Sequence, residues 1–167
     1  DDGAWEWATG TSGSGEIQGP GGETYLHGTN CGNVTIGGTT FEVGDTADLG
    51  ADQASYPDYR GYCQEHWVAK LDSVGEVEWH VVTEADHNIS SNEHGALSPL
   101  WFDADGSLIV EFGVETPSVT LGNITLDFDD HEYTYFTSSG YYYYNPSSNR
   151  VYASISADGA WEWATGT

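Results

Sequence analysis

Methionine is absent from this sequence and basic residues nearly so: Arg60, Lys70 and Arg150 stand against 27 acidic residues. The net charge of −24 repels phosphate backbones and anionic headgroups, which argues against nucleic acid and acidic membrane surfaces as partners. No run of 18 apolar residues exists, so no membrane insertion by a helix is expected. Nothing at the start has the pattern of a secretion leader. With no methionine and an opening Asp1, the chain is expected to be a mature or excised piece of a longer one. A surface this acidic needs counter-ions from high salt, millimolar calcium or a cationic partner, and an extracellular or cell-surface location supplies them.

Cysteine is also scarce. Cys31 and Cys63 suit one disulfide, closing a loop of about 30 residues worth roughly 3–4 kcal/mol in the chain-entropy account. No CxxC pair exists to suggest a thiolate metal site. Catalytic motifs are missing as well. The Gly13-Ser14-Gly15 run belongs to a glycine-serine stretch that reads as a loop, and there is no phosphate-binding loop or dinucleotide fingerprint. Acidic residues are so frequent that no carboxylate pair stands out as a glycosidase dyad. No enzymatic activity is expected.

What the sequence does have is aromatic content, at 14 % of residues, enough to build a core despite the charge. It also has repetition. DGAWEWATGT occurs at residues 2–11 and again at 158–167, placing Trp7 and Trp163 156 residues apart. Inside that period lies a weaker repeat. VTIGGTTFEVGD from Val34 aligns with VTLGNITLDFDD from Val119, and HWVAKLDSVGEVEWHV from His66 aligns with RVYASISADGAWEWAT from Arg150. ETYLHG precedes the first copy much as LIVEFG precedes the second. Alternation of period two with Gly and Asp breaks predicts an all-β fold. Each unit has an opening strand, a glycine-punctuated hairpin, and two closing strands joined at Gly75 or Gly159. No segment carries helical periodicity over three turns.

The expected organisation is a terminal strand at 1–11 repeated at 158–167, a first β module at 12–82 holding the disulfide loop, and a second at 83–167. These are two diverged four-stranded antiparallel modules, shaped like propeller blades, stacked or strand-exchanged with neighbours. Residues two apart on a strand share a face, so Trp5 and Trp7 are expected to point together, as are Trp161 and Trp163. Core anchoring is the plain reading of these indoles, and a sugar-binding surface the other. A second aromatic group, Tyr133 to Phe136 and Tyr141 to Tyr144, predicts a hairpin in which Tyr141 and Tyr143 lie on one face. That face can fill a core or meet a partner.

Polar motifs suggest further sites. Asn33, Asn88 and Asn123 begin N-x-S/T sequons for glycosylation. Asp103, Asp105, Asp127 and Asp129 fall in Asp-rich loops whose oxygens suit calcium, the one cofactor the sequence admits. The Asp103 loop lacks the twelfth-position Glu of an EF-hand, since that position is Val114. The plainer reading of each such loop is a turn between strands. His87 and His94 stand in a polar stretch and do not have a zinc spacing.

WVAKLDSVGEVEW, from Trp67 to Trp79, together with GNVTIGGTTFEVGD, resembles the repeat unit of secreted prokaryotic β-propellers, in which a GNVxxxG strand precedes a closing FVAKLDxxGxxxWA hairpin. The resemblance implies a four-stranded sheet unit and no particular activity. Two such units do not close a propeller ring, which takes about four to eight blades. The sequence therefore leads to a structural role: an extracellular filament or surface stalk whose partners are copies of itself, head to tail or in tandem. The alternative is a secreted carbohydrate-binding or adhesive propeller-like module that holds glycans, with or without calcium.

Overall fold

The computed structural model describes residues 14–30, 32–43, 65–85, 97–114, 118–128, 136–138, 141–143 and 149–167, and every element among them is a β-strand. The first sheet is antiparallel, with order β1 (Ser14–Gln18), β2 (Thr24–Asn30), β5 (Glu65–Leu71), β6 (Val77–Val82). Between β2 and β5 the chain forms a separate hairpin, β3 (Gly32–Ile36) with β4 (Thr39–Val43). The second sheet has order β8 (Ser98–Phe102), β9 (Leu108–Val114), β14 (Asn149–Ile155), β15 (Trp161–Gly166). Between β9 and β14 stand two hairpins: β10 (Ser118–Leu121) with β11 (Ile124–Asp127), and β12 (Phe136–Ser138) with β13 (Tyr141–Tyr143). The short β7 (Glu84–Ala85) runs from the first sheet to pair with β10.

The expected hairpin segments are hairpins, but they stand outside the four-stranded sheets. The fourth strand of the first sheet is β1, drawn from the glycine-serine stretch that reads as a loop. Gly15 lies opposite His27, whose imidazole takes the space of a β-carbon there, so glycine in this strand gives the ring its room.

The two sheets agree in detail. Thr24 pairs with Leu71 at the same ladder position where Leu108 pairs with Ile155. This alignment sets Thr24 beside Leu108, one residue away from the match of ETYLHG with LIVEFG. Five-residue loops join β1 to β2, β5 to β6, β8 to β9 and β14 to β15. In each, the first residue's N–H donates to the fifth residue's carbonyl, and the fourth residue is glycine with φ between 84° and 91°. That φ lies where side-chain-bearing residues are strained. Asp72 caps its loop by accepting the N–H of Val74 and Glu76, Asp103 does the same for Asp105 and Ser107, and the Ser156 hydroxyl accepts from Ala160. The hairpins correspond too. Gly37 and Gly122 turn with φ of 57° and 60°, and the cross-strand pairs Thr35–Thr40 and Thr120–Thr125 join hydroxyls at 2.9 and 3.2 Å.

Both closing hairpins carry a register shift, after Lys70 in the first sheet and after Ser154 in the second. An extra residue in one strand turns the side chains that follow onto the other face. Trp161 therefore pairs with Ile155 and packs into the core, whereas Trp163 pairs with Ser154 and is 45 % exposed. The expectation that Trp161 and Trp163 share a face does not hold, and the bulge is the reason.

The core has two parts. Leu26, Trp67, Ala69 and Leu71 on one face of the first sheet are covered by Val34, Ile36, Phe41 and Val43 of its hairpin. The opposite face sends Tyr25, Val68 and Val81 into a second cluster with Leu108, Val110, Phe112, Val151, Ala153 and Ile155 of the second sheet and Val119 and Leu121 of β10. The sheets thus stack, the far face of the first on the hairpin-side face of the second.

Candidate functional site

The stacking contact is the site that the described residues define best. At its rim Trp79 crosses from β6 to the second sheet, where its indole N–H donates to the Ala157 carbonyl at 3.0 Å. The ring also lies against Gly159, where a β-carbon would stand 2.7 Å away. Tyr25 meets Trp79 edge-on with ring centroids 5.7 Å apart, and Phe102 of the second sheet at 5.1 Å. Such aromatic contacts each add about 0.5–1.5 kcal/mol beyond area burial. His66 reaches across to Phe112 with ring centroids at 5.2 Å.

Polar groups finish one end of this contact. His66 Nδ1 lies 2.8 Å from the Thr29 hydroxyl, and Thr83 donates its hydroxyl to the buried Glu65 carboxylate at 2.8 Å. The His66 backbone N–H in turn donates to the Thr83 hydroxyl at 3.0 Å. Burial pushes the His27 imidazole below its ordinary range, partly offset by a hydrogen bond with the Leu97 backbone, and lowers His80, which stacks on Phe41. Burial raises the Tyr25 phenol, against the opposing pull of the Lys70 charge. Lys70 is raised by its hydrogen bond to Glu78, at 2.8 Å. In the second sheet the corresponding positions are Ser154 and Glu162, and their side chains also bond at 2.8 Å.

The residues singled out in the sequence are spread widely. Trp161 packs, partly buried, against the core and Trp163 lies on the far face of the second sheet. Tyr141 and Tyr143 lie on β13, where they pair with Ser138 and Phe136. Asn33 is exposed on β3 and Asn123 is exposed in the β10–β11 turn. Asp103 caps its own turn and Asp105 lies in that turn. Asp127 ends β11, exposed. Among the described residues no group of three His, Cys, Asp or Glu side chains could hold a metal ion. Trp5, Trp7, Cys31, Cys63, Asn88, His87, His94 and Asp129 lie outside the described residues. Also among the described residues, no helix is long and apolar enough to cross a membrane.

Two exposed residues outside this contact escaped sequence reasoning, Trp101 on the far face of the second sheet and Val74 in the β5–β6 loop. Their signal was spacing: Trp101 stands two residues before the Asp103 loop, as Ile17 stands two before the Gly19 loop. No protein-family model matches the chain, and comparisons with curated proteins and with solved structures find no match.

Proposed function

We propose that this chain is a structural unit of an extracellular filament or surface stalk, in which one sheet-and-hairpin unit occurs as diverged copies that stack face to face. The observation carrying this reading is the correspondence between the sheets in strand order, loop length, turn glycines and bulge position. Resemblance to secreted prokaryotic β-propeller repeats supports the unit, and the acidic surface suits salt water outside the cell. Repeat architectures draw much of their stability from contacts between neighbouring units. The function is mechanical and needs no catalytic group. The second reading, a glycan-binding module, draws on the exposure of Trp101 and Trp163, since exposed indoles also stack on sugars.

Negative-stain electron microscopy of the purified chain in molar salt, with sedimentation velocity, tests the structural reading. Rods or fibres are expected. Compact monodisperse particles of 18.1 kDa at every concentration would contradict it.

A further inference from the structure

Three large hydrophobic residues are exposed among the described residues: Val74 at 66 %, Trp101 at 55 % and Trp163 at 45 %. Their places in the two sheets are related. Trp101 pairs with Ile109 where Ile17 pairs with Tyr25, and Trp163 pairs with Ser154 where Trp79 pairs with Lys70. Ile17 and Trp79 are the residues that the second sheet covers. At Trp101 and Trp163 the far face of the second sheet thus exposes the counterparts of Ile17 and Trp79, while Ile109, the counterpart of Tyr25, and Ser154 are already buried.

Val74 lies on the surface that such a face would meet. Within the chain, Trp79 lands on the loop from Ser156 to Ala160. The loop from Asp72 to Glu76 has the same length and closing hydrogen bonds, and puts Ser73 where the other has Ala157. Its Ser73 and Val74 are exposed, while its Gly75 is buried. β10 is paired on both sides, by β11 and by β7, whereas β3 is paired with β4 alone among the described residues.

We infer that the far face of the second sheet docks on the β5–β6 loop of the first sheet in a second copy of this chain. In that copy Trp163 packs against Val74 and donates its indole N–H to the Ser73 carbonyl, as Trp79 does to Ala157 within the chain. The contact is head to tail and joins unlike surfaces, so it passes from copy to copy and builds a filament where the rotation between copies does not close a ring. It rests on the structural reading above and names the surfaces that reading requires.

The test uses the full chain with Trp163→Glu and Val74→Glu variants in 1 M NaCl, which screens the repulsion between acidic copies. Both positions are exposed, so both variants should fold, and circular dichroism checks this. Each variant alone should lose association by at least tenfold in dissociation constant. Mixed one to one, they should form a dimer and stop, because each retains the surface the other lacks. If Val74→Glu alone still associates while Trp163→Glu does not, the tryptophan face binds a like face and the inference is overturned. If both variants form rods like the unaltered chain, the filament reading stands and this interface is wrong. If the unaltered chain never associates yet its tryptophan fluorescence shifts with an oligosaccharide, both readings give way to glycan binding.

Discussion

At the scale of single residues, the turn glycines carry much of the specification, but for two different reasons. Gly106 has φ of 84° with open space where a β-carbon would go. Gly159 has nearly the same φ, yet the Trp79 ring occupies that space. Gly106→Ala should therefore cost about 1–2 kcal/mol from backbone strain alone. Gly159→Ala adds about 1–3 kcal/mol of overpacking and pushes Trp79 off the Ala157 carbonyl. Urea denaturation of the two variants measures the difference, and equal costs would mean that Trp79 does not rest on that loop. Capping shows the same economy of means, since Asp72, Asp103 and Ser156 all hold their loops by a side-chain oxygen. The Asp103 motif, which in sequence suits calcium as well as a turn, has its carboxylate engaged in that cap.

At the scale of elements, the sheets distribute volume differently over the same positions. Gly28 pairs with Trp67 where Phe112 pairs with Val151, so a small and a large residue have exchanged strands. The Trp67 ring fills the space over Gly28, where a β-carbon would stand 2.8 Å away. Trp67→Val alone should cost about 3 kcal/mol by opening a cavity. Gly28→Phe alone should cost about 1–3 kcal/mol by overpacking. The double variant should recover about 1–3 kcal/mol relative to the sum, because each change makes room for the other. Strict additivity in the denaturation data would mean that the two sites do not share one pocket. The strands with alternating apolar residues, VTIGG, TFEVG and HWVAKL, were legible in the sequence. SGEIQ was not, because its one glycine, Gly15, makes room for the neighbouring His27 imidazole, and nothing in a single sequence marks that. The facing of Trp161 and Trp163 was also hidden, since a bulge changes the period of two without changing composition. The far-face site was half legible: Trp163 stood out by repetition, but Trp101 and Val74 gain meaning only from the ladder registers.

At the scale of the whole molecule, two histidines give the fold a pH dependence of its own. His27 and His80 have depressed values in the fold, so below about pH 6.5 the unfolded chain binds protons that the folded chain does not. Stability is then fully present above that pH and falls as the pH drops toward the lowered folded values. His27→Gln should flatten this slope in thermal melts at fixed ionic strength, and an unchanged slope would remove His27 from the account. The stacking of corresponding sheets bears on the molecule as a whole more than any of these terms. If each unit completes its neighbour's core, stability must grow with the number of units before it levels off. The direct measurement is the melting temperature of chains carrying one, two and three tandem runs of residues 12–167. The account predicts a rise from one to two, a smaller rise to three, and a single cooperative transition throughout. A melting temperature independent of copy number would show that the units fold as separate bodies and would contradict it.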